Sequence, residues 1–409
     1  MWLYNLGISL YAGGIRLAAL WHGKARLWSE GRRNIFERME AAVRPSDRIV
    51  WVHAASLGEF EQARPIIERL RAEHPEYKIL LTFFSPSGYE IRKNYEGADY
   101  VFYLPADTPS NARRFLDIVH PEIAIFIKYE FWINLLSELR RRKVRSYIVS
   151  AIFRRNSVFF RPYGAMWRQA LETFDTLFVQ NVESKRLLSE IGFDNVVVAG
   201  DTRFDRVAQI AAAAQRVETI ERFRGGGRLF VAGSTWGPDE EILLPLVNAN
   251  PDVKFVIAPH EMDEGRIAHL MRDAKGGAVR YTQCDAATRF DDVQVLVLDT
   301  MGMLSSVYGS ATWAYVGGGL GGGIHNKLEG TTFRLPIAFG PNYGKFKEAR
   351  DMVSLGCAVS VRTAGELAAW FAPLRDDEET LRRASRTAKD YTARNQGATG
   401  IILRSIFNS

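Results

Sequence analysis

Short runs of β-branched and aromatic residues return along most of this chain, and between them lie stretches with apolar residues at helical spacing. In the first half the runs are Arg48–Val52, Lys78–Thr82, Tyr100–Leu104, Ile123–Ile127, Arg145–Val149, Thr176–Val179 and Val196–Val198. Segments such as Glu59–Arg71 and Asn111–Val119 separate them. A parallel strand needs a crossover to return to its neighbour, and an amphipathic helix is the crossover that also covers the sheet. The pattern predicts a parallel sheet wound by helices on both faces, with functional groups beyond the carboxyl ends of the strands. A polar, alanine-rich stretch, Asp205–Gly227, interrupts the alternation. It restarts with Leu229–Ala232, Lys254–Ala258, Val293–Leu298, Trp313–Val316, Pro336–Phe339 and Ala358–Val361. At 409 residues the chain exceeds one ordinary core, so two doubly wound α/β domains facing across a cleft are expected. The expected boundaries are an N-terminal anchor with a basic flank over 1–33, a first domain over 34–205, a linker over 206–227, a second domain over 228–385, and a C-terminal helix over 386–409 that packs back on the first.

With 47% hydrophobic and 24% charged residues, the composition is that of a packed globular protein. A formal charge of +6 and a pI near 9.2 favour acidic partners: a membrane surface, a nucleic acid or a phosphorylated substrate. Cys284 and Cys357 stand far apart without metal-like spacing, which argues for a reducing compartment and against a disulfide framework or zinc site. Residues 2–21 are mostly apolar and about as long as the ~20 residues that cross a bilayer core. Arg16 interrupts the run, Tyr and Trp stand at both ends, and Lys24, Arg26, Arg32 and Arg33 follow. That bias leaves the rest of the chain in the cytoplasm, while a segment spanning the bilayer and one lying in its interface both fit.

The most distinctive motif begins at the expected strand Trp313–Val316, continues through Gly317–Gly319 and Gly321–Gly323, and opens a helix near Asn326. Glycines admit close approach of an anion, and the first amides of a helix supply donors at its positive end. His325, Asn326 and Glu329 line this turn, and no Gly-Lys-Ser/Thr follows, so it is not a Walker loop. In the first half, His53-Ala-Ala-Ser-Leu-Gly-Glu59 leads from a buried strand into a helix. Small residues clear space around Glu59 there, in a first turn whose dipole favours the carboxylate. Glu130, in Lys128-Tyr-Glu-Phe-Trp132, follows another strand. Residues 140–168 carry nine arginines and lysines and no acid, interleaved with aromatic residues. That suits a single-stranded nucleic acid or a phosphorylated lipid, and the apolar N-terminus favours the lipid. Gly233-Ser-Thr-Trp236, Ala258-Pro-His260 and Asp299-Thr-Met-Gly-Met303 each follow an expected strand of the second half.

The blocks Ala55-Ser-Leu-Gly-Glu59, Gly200-Asp-Thr-Arg-Phe-Asp205, Ala232-Gly-Ser-Thr235, Asp299-Thr-Met-Gly302, Gly323-Ile-His-Asn-Lys-Leu-Glu329 and Phe339-Gly-Pro-Asn342, in this order, resemble the 3-deoxy-D-manno-octulosonic acid (Kdo) transferases of Gram-negative bacteria. The resemblance implies a GT-B type glycosyltransferase with two Rossmann-like domains and an N-terminal membrane-associated helix. The first domain would bind a lipid A precursor and the second CMP-Kdo, at the cytoplasmic side of the inner membrane. No metal, cofactor or nucleic acid is implied. Glu59 looks like the general base, and Glu130 falls where the family has an acidic residue of active-site role. CMP contacts would come from Ala258 and Pro259, from Met301, Gly302 and Met303, and from Asn326, Lys327, Leu328 and Glu329. Three positions depart from the commoner pattern: Pro259 stands for an arginine, Met303 for a glutamate and Lys327 for a proline, with Lys327 able to restore the charge lost at Pro259. A UDP-sugar enzyme or epimerase of the same architecture, and a membrane-bound scaffold for polyanions, are the competing readings.

Overall fold

The computed structural model describes residues 1–321 and 333–408. The chain divides into two units, Met1–Arg206 with Gly397–Ser409, and Val207–Gln396. The first unit opens with three helices, α1 (Trp2–Ala18), α2 (Gly23–Gly31) and α3 (Ile35–Ala42). Strands and helices then alternate: β1 (Ile49–Ala54), α4 (Leu57–Glu73), β2 (Lys78–Phe83), α5 (Pro86–Arg92), β3 (Tyr100–Tyr103), α6 (Pro109–Val119), β4 (Ile123–Ile127), α7 (Ile133–Arg142), β5 (Arg145–Ala151), α8 (Ala165–Leu171), β6 (Thr176–Val179), α9 (Val182–Ser189) and β7 (Val196–Val198). The strands pair in parallel in the order β3-β2-β1-β4-β5-β6-β7. Chain order reverses between β1 and β4, so the loops after these two strands border the crevice that such a reversal leaves at the sheet's carboxyl edge.

Burial on both faces explains the nearly continuous apolar strands. Ile49 and Trp51 of β1 face a cluster with Phe115, Phe126 and Leu136. Val50 and Val52 face the other way, toward Phe60, Ile66 and Leu70 of α4. That second face is closed by the helix Ala398–Phe407, which contributes Ile402, Leu403 and Ile406. Complete burial of three such side chains is worth roughly 5–9 kcal/mol. Asp205 fixes the start of this helix: its carboxylate accepts hydrogen bonds from the amides of Gly397 and Thr399, at 2.6 and 2.7 Å, and from the Thr399 hydroxyl.

In the second unit α10 (Thr202–Ala213), which begins in the first, and α11 (Glu218–Arg224) precede β8 (Leu229–Thr235), α12 (Gly237–Ala249), β9 (Lys254–Pro259), α13 (Glu264–Asp273), β10 (Ala278–Arg280), β11 (Val295–Val297), α14 (Leu304–Tyr308), β12 (Trp313–Val316), β13 (Ile337–Phe339) and β14 (Ala358–Ser360). Further helices span Lys347–Ser354, Ala364–Asp376 and Glu378–Asn395. This sheet is also parallel, in the order β10-β11-β9-β8-β12-β13-β14, and reverses between β8 and β12. Residues 206–227, expected as a linker, are largely helical, as an alanine-rich run favours.

The N-terminal segment departs from one of the two forms expected of it. No helix among the described residues is long and apolar enough to cross a membrane. α1 has 17 residues, about 26 Å of rise against a hydrocarbon core of ~30 Å. Its last turn also carries Arg16. Arg32, expected in a basic flank, is instead half-buried against the protein. It donates to the carbonyls of Leu104, Phe84 and Trp28 at 2.8, 2.8 and 3.1 Å, with its guanidinium over the Trp28 ring. Burial holds that guanidinium below the usual arginine range.

Candidate active site

Both carboxylates singled out in the first half lie at the β1–β4 reversal. Ser56 ends the loop after β1 as the N-cap of α4, and Glu59 lies in the first turn. The Ser56 hydroxyl makes no capping bond to an amide and donates instead to the Glu59 carboxylate. This holds a partly exposed acid at the positive end of a 17-residue helix. Glu130 follows β4 on a loop without regular structure, which starts at Lys128 with φ +61°. That conformation is costly for a residue with a Cβ and turns the chain sharply off the strand.

A directional network grips Glu130. Trp51 Nε1 donates to Thr82 Oγ1 at 2.8 Å, and Thr82 Oγ1 lies 2.8 Å from Nδ1 of the fully buried His53. On the other side of the imidazole, His53 Nε2 is 3.2 Å from Glu130 Oε2, and Trp132 Nε1 donates to the same oxygen at 2.8 Å. Trp132 has one N–H, which the carboxylate accepts. The same N–H lies 3.1 Å from His53 Nε2, and His53 Nδ1 also lies 3.2 Å from the Thr82 carbonyl, so the imidazole tautomer sets which of its two nitrogens donates. Thr82 and Trp132 were invisible as site residues in the sequence, because they join His53 only when β2 and the loop after β4 are laid beside β1.

The basic stretch 140–168 is corrected. Its acids come from outside it: Arg140 pairs with Glu172 at 2.7 Å, Arg141 with Glu138 at 2.6 Å, Arg142 with Asp117 at 2.7 Å and Arg155 with Glu190 at 3.2 Å. Hydrogen bonds from Arg141 and then Arg142 pull Glu138 down to about 2. Phe153 and Phe159 are core residues. Arg154, Arg161 and Tyr163 stay exposed.

In the second unit the β8–β12 reversal brings two loops together through one buried acid. Asp239, in the first turn of α12, accepts from the Trp236 amide at 2.9 Å, the Gly318 amide at 2.8 Å and the Tyr315 hydroxyl at 2.7 Å. Burial and then this carboxylate push the Tyr315 phenol far above its usual value. Gly317 runs so close to β8 that a Cβ there would lie 2.2 Å from the Ser234 carbonyl oxygen. Glu240 anchors the other side, accepting from Thr235 Oγ1 at 2.9 Å and from Arg266 at 2.6 Å.

Of the expected donor-binding residues, Ala258 and Pro259 are buried at the carboxyl end of β9, and the next residue, His260, is exposed. Met301 and Gly302 are exposed on the loop after β11, with Met301 76% accessible and Gly302 at φ +85°. Met303 is partly exposed at the start of α14. His325, Asn326, Lys327, Leu328 and Glu329 lie outside the described residues. Arg266, unmarked in the sequence, is the guanidinium nearest in sequence to Pro259, and it is paired with Glu240.

Residues 32–206 match the family model described as 3-Deoxy-D-manno-octulosonic-acid transferase (kdotransferase). Over 378 residues the chain is 26% identical to the 3-deoxy-D-manno-octulosonic acid transferase of Haemophilus influenzae, covering 88% of this chain and 86% of that one. Its counterpart from Bordetella pertussis is 27% identical, with 87% and 86% covered. Among solved structures, UDP-GlcNAc 2-epimerase from Neisseria meningitidis, bound to UDP-GlcNAc, superposes with a TM-score of 0.61 over 88% of this chain and all of that one. At 15% identity, that likeness is one of fold alone.

Proposed function

We propose that this chain, matched over residues 32–206 by the 3-deoxy-D-manno-octulosonic acid transferase family model and 26–27% identical to two such transferases over most of its length, is an inverting glycosyltransferase moving Kdo from CMP-Kdo to a lipid A precursor. The observation that carries the reading is the placement of two acids, Glu59 and Glu130, after the two adjacent strands where chain order reverses. They lie in the segment that the family model matches. In the proposed reaction an acceptor hydroxyl attacks the anomeric carbon, its proton passes to Glu59, and the bond to CMP breaks with its electron pair leaving on the phosphate. The anomeric carbon gains positive charge as that bond lengthens, as in glycoside hydrolysis. Glu130 is the second acid of this edge. CMP is assigned to the second unit, at Ala258, Pro259, Met301, Gly302, Met303 and the segment Asn326–Glu329. No metal or cofactor is assigned a part.

Mixing the protein with CMP-Kdo and a defined lipid A precursor in EDTA is expected to release CMP, with acceptor mass rising by Kdo increments. CMP, and not UDP, is expected to raise the melting temperature, by the linkage between ligand binding and stability. Absence of CMP release, or stabilisation by UDP alone, overturns the assignment.

We assign the protein to the cytoplasmic face of the inner membrane, with α1 lying in the interface. Trp2, Leu3, Leu10 and Leu17 of α1, with Leu20 and Trp21 just beyond it, are 60–71% exposed, a contiguous apolar face of the kind that seeks a partner. Flotation with vesicles containing phosphatidylglycerol is expected to carry the wild type upward. The variant Leu3→Asp/Leu10→Asp should stay in the dense fraction, and equal flotation of the two would remove α1 from this role.

A further inference from the structure

Glu130 sits on the loop between β4 and α7, whose Phe131 packs on Phe159 and Phe174 of the core. The residues between β4 and α7 form no ladder or helix, and their first residue is in a strained conformation. The N-cap of α7 is Trp132, whose indole offers no oxygen to the first amides of that helix. Those amides are satisfied from elsewhere. The Ile133 amide donates to the Tyr4 hydroxyl of α1 at 3.3 Å, and that hydroxyl donates onward to Asp107 Oδ2 at 2.7 Å. The Asn134 and Leu135 amides donate to the two oxygens of Asp107, each at 2.9 Å. Asn5 of α1 accepts from the Asn134 side chain at 2.9 Å. A second route is aromatic. Tyr11 of α1 stacks on Phe84 at 6.2 Å between centroids, and Phe84 lies 4.6 Å from Trp132, the residue that donates to Glu130.

We propose that α1 is a brace for the catalytic edge, in which Tyr4 and Tyr11 are positioning residues that hold Trp132, and through it Glu130, in place against His53. The catalytic half of this proposal rests on the transferase reading. The mechanical half does not. A helix that buries no residue of its own nevertheless completes the hydrogen bonding of α7, so its contacts with the unit bear on the loop that presents an acid.

Tyr4→Phe, which keeps the ring and loses the hydroxyl, and Tyr11→Leu, which removes the ring stacked on Phe84, test the two routes. Tyr4→Phe withdraws an acceptor from the Ile133 amide, so hydrogen exchange at residues 133–135 is expected to quicken roughly 10-fold, with the global melting transition kept. Each variant is expected to lower kcat about 10-fold, as small misplacements of a catalytic group do, with the KM for CMP-Kdo unchanged. In a Glu130→Gln background neither variant should lower the residual rate further, because a brace has nothing left to position. Unchanged exchange at 133–135 overturns the brace. So does an undiminished additive loss in the Glu130→Gln background, or a full wild-type rate for Glu130→Gln alone. If the wild type releases no CMP, the transferase reading has failed, and exchange at 133–135 still decides whether α1 holds the loop.

Discussion

Glu59→Gln is expected to lower kcat by about 10²–10⁴-fold, the range that a lost general base commands, while the protein still folds and CMP still raises its melting temperature. The amide is nearly isosteric with the carboxylate and keeps an oxygen for the Ser56 hydroxyl, which now donates to Glu59. What disappears is the ability to take a proton from the acceptor. The readouts are the initial rate of CMP release at saturating donor and acceptor, and a melting curve with and without CMP. A rate within a few-fold of wild type removes Glu59 from proton transfer. A collapsed melting curve would instead make it a structural cap. Ser56→Ala frees the carboxylate to rotate and should cost less than Glu59→Gln.

Asp239→Ala is expected to produce the largest loss of stability in the second unit and to abolish stabilisation by CMP. One substitution strips the partner from two amides, those of Trp236 and Gly318, and from the buried Tyr315 hydroxyl. Each buried polar group left unsatisfied costs on the order of 1–3 kcal/mol. Three together approach the whole stability of an ordinary domain. The loop beginning at Gly317 also loses one of its ties, and keeps the Gly317 amide on the Gly233 carbonyl at 2.9 Å and Asn342 on the carbonyls of Gly319 and Gly321 at 2.9 and 2.7 Å. Calorimetry should show a transition lowered by ten degrees or more, on the order set by such losses. Asp239→Asn keeps one acceptor oxygen and should fall between. Wild-type melting and CMP response in Asp239→Ala would mean that the glycine loop is held by something else.

The layout of both sheets was legible because strands buried on both faces must be apolar runs. Ile123–Ile127, Thr176–Val179, Val196–Val198 and Trp313–Val316 were all expected at the boundaries they have. β10 was missed, since three half-buried residues at a sheet edge leave almost no pattern. Glu59 and Glu130 stood out because each follows such a run. Their partners did not, because the Thr82–His53–Glu130 contacts span 29 and 77 residues. The same blindness to long range misled the reading of residues 140–168. Within that window the cations outnumber the acids without exception, yet Asp117, Glu172 and Glu190 approach from flanking helices and loops to neutralise them. Asp239 is the plainest case, a first-turn acid whose hold on Gly318 reaches 79 residues along the chain.

Ile402, Leu403 and Ile406 lie over α4 and the face of β1 that carries Val50 and Val52, which sets an order on biosynthesis. A ribosome working at about 5–20 residues per second reaches them roughly 15–60 s after it has made β2. Throughout that interval the nascent first unit carries an uncovered apolar face, while the second unit, uninterrupted in sequence, can close its own sheet first. The half of the molecule that emerges earliest is therefore the half that matures last, and it is the natural client of whatever chaperones attend the growing polypeptide.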